Sequence, residues 1–216
     1  MKTVLVIGIG RFGRHLANKL SELGNEVMIV DKEEERISPL LNNVTRAHIG
    51  DCMDEKLLRS LGVGNFDICF VCIGNNFQAS LEITSLLKEL GAKFVVSKAN
   101  REIHEKFLLR NGADQVIHPE RDVAHRAARK YSANNAFDYF ELSDDLSICE
   151  IGVPETWCGK TIRQVNVRSR YDINIIARKQ GEKIIPISNA EYIFSENDHL
   201  IIAGNTNACT RILDIK

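Results

Sequence analysis

Residues 4–13 read V-L-V-I-G-I-G-R-F-G, and an acid stands at Asp31 after a second apolar run at 27–30. An apolar run closed by glycine and followed by amphipathic spacing reads as a buried strand, a turn and a helix start. The glycines have separate tasks. Gly8 makes the tight turn, Gly10 lets the backbone approach a pyrophosphate, and Gly13 lets the helix pack close to the strand. Amide groups at the start of that helix, aided by its dipole, then hold phosphates. A bare G-x-G-x-x-G is common, but here the strand, the helix and Asp31 supply the context that the motif requires.

Strands are expected over 3–9, 26–31, 45–49, 67–73, 93–97 and 115–118, alternating with helices over 11–23, 33–41, 54–61, 77–90 and 101–111. Gly24, Gly62, Gly91 and Gly112 fall where those helices should stop. The pattern is α/β, a Rossmann-like doubly wound parallel sheet. One more helix is expected over 119–131, with Val123, Ala124, Ala127 and Ala128 on one side, leading into a polar linker at 132–135. Short strands over 137–142, 146–153, 173–178, 183–187 and 199–203, with helices over 161–165 and 207–213, then make a small α+β domain. The expected division is residues 1–132 for the nucleotide-binding domain and 137–216 for the second.

The 216 residues suffice for these two domains and are short for a dehydrogenase with a separate catalytic domain. A formal charge of -1 with interspersed signs gives no electrostatic reason to bind nucleic acid. No stretch approaches the roughly 20 apolar residues of a bilayer span, so a soluble, cytoplasmic chain without direct membrane insertion is expected. The six cysteines suit a reducing compartment. Cys69 and Cys72 form C-x-x-C, but inside an expected strand their side chains point to opposite faces and cannot share a metal.

Ligands of an open α/β sheet lie beyond the carboxyl ends of the strands, so the residues that follow each strand are the candidates. Asp31 can accept both ribose hydroxyls and would repel the extra phosphate of NADP, leaving NAD, ATP, ADP or AMP; it can also simply cap a helix. Asp51 and Cys52 can face the adenine or form a plain turn. Gly74, Asn75, Asn76 and Gln78 can meet ribose and phosphates, or cap the helix that starts there. Lys98 can reach a phosphate as a point charge, or simply be solvated. Arg11, inside the glycine loop, suits a terminal phosphate better than a neutral nicotinamide, which favours ATP or ADP, although it can also be a solvated arginine at the helix start. Glu120 can help to hold a divalent cation, meet an arginine of a neighbouring subunit, or merely favour its helix start. The nucleotide candidates are therefore Gly8, Gly10, Arg11, Phe12, Gly13, Asp31, Lys32, Asp51, Cys52, Ile73, Gly74, Asn75, Asn76, Gln78, Lys98 and Glu120, with Glu120 also the metal candidate. No nucleophile elbow, Ser-Tyr-x-x-x-Lys arrangement or zinc-spaced cluster is present, and His118 reads as structural. A hydride-transfer enzyme needs a proton donor that the sequence does not nominate. An NAD-dependent oxidoreductase is therefore the rival reading and a non-catalytic protein the preferred one.

Together, G-I-G-R-F-G at 8–13, Asp31, G-D-C-M-D at 50–54, C-I-G-N-N-F-Q-A-S at 72–80, K-A-N at 98–100 and H-P-E-R-D at 118–122 resemble the regulator of potassium conductance family, in the form of KtrA-type and TrkA-type cytosolic subunits of bacterial potassium transporters. V-P-E-x-x-x-G-K-x-I at 153–162 and N-I-I-A at 174–177 are similar to the family's C-terminal ligand domain. The resemblance implies a non-catalytic regulatory subunit that assembles as dimers into an octameric ring at the inner face of the cell membrane, under a transporter subunit of KtrB or TrkH type. It implies ATP, ADP or NAD(H) in the first domain, and a divalent cation near Glu120. It further implies cyclic di-AMP between two C-terminal domains, through an R-x-x-x-N-I pattern matched by Arg170, Asn174 and Ile175, with Pro186 at an apolar wall. A soluble cyclic di-AMP or nucleotide sensor acting on another partner is a further alternative.

Overall fold

Short apolar segments separated by amphipathic helices pair as a parallel sheet, because each helix returns the chain to the end from which the strand began. In a computed structural model, which describes residues 1–132, 136–143 and 145–213, the first half does this. Strands β1 (Thr3–Ile7), β2 (Glu26–Asp31), β3 (Arg46–Ile49), β4 (Ile68–Val71), β5 (Val95–Lys98) and β6 (Gln115–Ile117) pair in the order β3-β2-β1-β4-β5-β6, all parallel. Helices α1 (Arg11–Glu22), α2 (Glu34–Ile37), α3 (Glu55–Leu61), α4 (Phe77–Glu89) and α5 (Glu102–Arg110) connect them. The order reverses between β1 and β4. That switch point opens a crevice at the carboxyl ends of the strands.

Alternate residues of β1 build two cores. Leu5 and Ile7 pack with Val71, Val95, Ile83 and Leu87, while Val4 and Val6 pack with Val27, Ile29 and Ala17. Each such fully buried aliphatic chain stabilises the fold by roughly 1.5–3 kcal/mol. Cys69, in β4, belongs to the first core and Cys72, just beyond the strand, to the second, so the two thiols lie in different cores. Burial pushes both thiols up to about 12, so they stay protonated. The four glycines expected to end helices all have positive φ. Several segment bounds differ from expectation, and three have a plain outcome in the first half. β1 stops at Ile7 because Gly8 already turns the chain, β4 spans only Ile68–Val71, and Pro39 converts the second half of the expected 33–41 helix into a 3-10 turn over Ser38–Leu40.

Helix α6 (Pro119–Ser132) follows, and packing divides the chain inside it, into Met1–Arg121 and Asp122–Lys216. Of the expected linker, Ser132 ends α6 and 133–135 lie outside the described residues. In the second unit β7 (Ala136–Ser143), β8 (Leu146–Gly152), β9 (Ile173–Gln180), β10 (Lys183–Pro186) and β11 (His199–Asn205) form an antiparallel sheet in the order β10-β9-β11-β8-β7. Its core joins Cys149, Ile151, Ile173, Leu200 and Ile202 to Trp157, Phe194 and Cys209. Helices α7 (Ile162–Val165), α8 (Val167–Tyr171) and α9 (Thr206–Leu213) complete it. α7 starts with a capping box between Thr161 and Gln164. α8 has no sequence-based expectation. It is one turn bounded by two left-handed residues, Asn166 (φ 54) and Asp172 (φ 57), too short for a hydrophobic period to register. Among the described residues no helix is long and apolar enough to cross a membrane.

Candidate functional site

At the switch point lies a cleft of about 580 Å³, within the range of small-molecule sites. Its floor is the glycine turn. A Cβ on Gly13 would stand 2.0 Å from the Gly8 carbonyl oxygen, so only glycine lets α1 seat against the turn. Gly10 has nothing within 4 Å of an added Cβ, and its open side faces the cleft. The first-turn amides of a helix have no partner inside it. α3 and α4 satisfy one of theirs with Asp54 and Asn76, and α2 and α5 place acids in the first turn; of α1 to α5, α1 alone has neither a side-chain cap nor a first-turn acid. A helix start of this kind is suited to an external anion.

Asp31 is buried in the cleft wall and has a second task beyond any ribose contact. Its Oδ2 accepts the Ile9 amide at 2.7 Å and its Oδ1 the Glu33 amide at 3.0 Å, tying the glycine turn to the start of α2. The Arg36 guanidinium lies 3.5 Å from Oδ2 and 2.9 Å from Glu33. Asp51 lines the cleft while its Oδ1 accepts the Met53 amide at 2.9 Å, so turn and site readings coincide. Asn76 likewise lines the cleft and caps α4 through the Ala79 amide, at 3.0 Å. Asn100 donates to the Gly74 carbonyl at 2.7 Å, stitching the loop after β5 to the loop after β4.

The buried Lys98 reaches into this cleft, its Nζ 6.0 Å from the centre of the Phe12 ring and 2.7 Å from Glu120 Oε1. That hydrogen bond holds the Glu120 carboxyl below its usual range. Burial, aided by the charges of Asp51 and Asp31, pushes the Cys52 thiol up to about 12, so it offers no nucleophile. Among the described residues no group of three or more His, Cys, Asp or Glu side chains is placed to hold a metal ion. His118 is buried with its Nε2 2.8 Å from Glu105 Oε2, a structural pairing.

A second cleft, of about 460 Å³, lies in the second unit between α7, α8, the start of β9 and residues 187–190 beyond β10. Asn174 and Ile175 line it, with Ile162 and Ile187 as apolar walls. Arg168 donates through Nε to Asn174 Oδ1 at 2.7 Å.

Residues 4–119 match the family model of the TrkA-N domain, and residues 147–216 match that of the TrkA-C domain. The chain belongs to the TrkA-N family. It is 41% identical over 210 residues to Ktr system potassium uptake protein C of Bacillus subtilis (strain 168), spanning 97% of this chain and 95% of that one. The GsuK RCK domain superposes with a TM-score of 0.69 at 19% identity, over 99% of this chain and 48% of the longer one. The GsuK channel bound to NAD gives a TM-score of 0.67 at 20% identity, over 96% of this chain and 38% of that chain. At these identities the solved structures speak for the fold. The matched domains and the relative establish membership of the regulator of potassium conductance family in its KtrA and TrkA form.

In the TrkA-N domain, Gly8, Gly10, Arg11, Phe12, Asp31, Lys32, Asp51, Cys52, Ile73, Gly74, Asn75, Asn76, Lys98 and Glu120 come together at one cleft. Gly13 lies behind it as the packing glycine. Gln78 does not line it; its amide donates to Glu82 at 2.6 Å along the exposed side of α4, because two positions beyond the cap a helical side chain has rotated away. Arg36 and Asn100 are cleft residues that the sequence reading did not single out. The signal for Arg36 was its place one turn into the helix after Asp31. In the TrkA-C domain, Asn174 and Ile175 line the second cleft, but Arg170 and Pro186 do not; Arg168 and Ile187 stand there instead. The short helix α8 sets which arginine turns inward, and spacing alone cannot report it.

Proposed function

We propose that this chain is a non-catalytic regulatory subunit of a bacterial potassium uptake system, which binds ATP, ADP or NAD(H) in the TrkA-N cleft and passes occupancy to a membrane transporter subunit as a change of shape. The observation that carries this reading is the uncapped start of α1 over a turn free of side chains, with Lys98 and Arg11 on the same cleft. Both cations suit a terminal phosphate, which favours ATP and ADP, while the GsuK channel bound to NAD supports NAD(H) in this fold. The subunits would form homodimers and an octameric ring at the cytoplasmic face of the membrane, without inserting into it. In support, α6 leaves Val123 65% exposed on the side that carries its small residues. A divalent cation near Glu120 would need further ligands from the nucleotide or a neighbouring subunit. Cyclic di-AMP between two C-terminal domains is the proposed second ligand, with Asn174, Ile175 and, in place of Arg170, Arg168 meeting it from the second cleft.

A ligand shifts an equilibrium only by its difference in affinity for the two shapes. One charge-assisted contact contributes about 1.5–3 kcal/mol, whereas moving a population from 1:99 to 99:1 takes about 5.5 kcal/mol. Several sites acting together in a ring can supply that difference, so response and assembly should be lost together. The test is the mass of the purified assembly, the identity of any co-purifying nucleotide, and calorimetry with ATP, ADP and NADH. Absence of heat with every purine nucleotide would refute the reading, and robust turnover of NADH with simple carbonyl compounds would favour the oxidoreductase.

A further inference from the structure

Lys98 and Glu120 approach each other from different elements, and their surroundings are unequal. The Lys98 side chain is 11% exposed and fixed at the end of β5, whereas that of Glu120 is 67% exposed on the first turn of α6. The ammonium cannot leave its site without losing a partner in a poorly hydrated place. The carboxylate can swing into water at little cost. The terminal phosphate of a nucleotide carries more charge than a carboxylate and would approach the same ammonium from the cleft, since Lys98, Glu120 and the glycine turn all line it.

We propose that Glu120 is an internal competitor for the ligand's terminal phosphate, holding Lys98 by its carboxylate until a phosphate takes that place and frees the first turn of α6. This inference rests on the adenine-nucleotide reading of the cleft and adds a selectivity and a lever to it. The competition lowers the affinity of ligands with a terminal phosphate relative to those without one, because only the former displace the carboxylate from Lys98, and it confines the release of α6 to phosphate-bearing ligands. The lever is the helix itself. α6 begins beside the cleft and carries the chain into the second unit, so the exchange acts on the segment that joins them.

Calorimetry on the full chain, in buffer containing EDTA so that no divalent cation contributes, with ADP and adenosine as paired ligands, tests it. Glu120→Gln should raise the ratio of ADP affinity to adenosine affinity by about fivefold, the scale of a solvent-facing ion pair. Glu120→Asp, whose shorter side chain also loses the Lys98 contact, should move it the same way. In a Lys98→Ala background the ratio should no longer respond to Glu120→Gln. Hydrogen exchange of the second-turn amides of α6, which donate to the carbonyls of its first turn, should rise when ADP binds the wild-type chain. An unchanged or lower ratio in both Glu120 variants overturns the exchange while leaving the nucleotide reading standing, and so does unaltered exchange in α6. Failure of the wild-type chain to bind either ligand overturns both.

Discussion

The two clefts differ in what holds them. The TrkA-N cleft is braced before any ligand arrives. Asp31 takes two backbone amides, Asn76 caps α4, Asn100 ties two loops and Lys98 is paired with Glu120. The TrkA-C cleft is walled by one-turn helices, the start of β9 and the loop after β10, with the Arg168–Asn174 contact at it. A parallel sheet delivers every strand end to one side, so its crevice has a fixed address; an antiparallel sheet alternates its ends, and its cleft lies wherever local turns leave room.

The contrast can be broken most forcefully at the glycine turn. Gly13→Ala should cost about 3 kcal/mol in urea denaturation, because the new methyl must displace the Gly8 carbonyl, whereas Gly10→Ala should stay within about 0.5 kcal/mol while weakening nucleotide binding. Equal stability losses would mean that the turn is not braced as described. Next in size, Lys98→Ala should weaken ADP by about 1.5–3 kcal/mol and leave cyclic di-AMP unaffected, and Arg168→Ala should do the reverse; calorimetry showing either change at both ligands would deny that the clefts are separate sites. Asn76→Ala removes the α4 cap and should lower stability by about 1 kcal/mol, measured by the denaturation midpoint.

The smallest effect is a titration in the TrkA-N half. Burial, with Arg101 and His118 nearby, lowers the pKa of His104 from its ordinary 6.5. The unfolded chain therefore binds the proton more readily, and the stability that this residue confers is full above about 6.5 and is lost as pH falls toward the lowered folded value. Denaturation midpoints from pH 8 to pH 5.5 should fall less steeply for His104→Gln than for the wild-type chain, and parallel curves would remove His104 from the account.

The legibility of the two halves follows the same physics. The doubly wound parallel sheet, the glycine turn and most of the cleft-lining group from Gly8 to Glu120 could be read because consecutive β-α units repeat one geometry, so that position along the chain nearly fixes position in space. Arg36 and Asn100 were missed because their use depends on contacts across loops, with Asp31 and Gly74. Gln78 was misplaced by a rotation of two helical positions. In the TrkA-C half, α8 decides that Arg168 rather than Arg170 faces Asn174.

By itself, the sequence determined the doubly wound sheet, its glycine turn and the family, since hydrophobic period and backbone sterics act locally and leave a mark residue by residue. Only the tertiary structure decided what Asp31 holds, that Lys98 faces Glu120, and which arginine lines the second cleft. Those are pairings between groups distant in the chain, set by how the elements pack, and no local pattern records them.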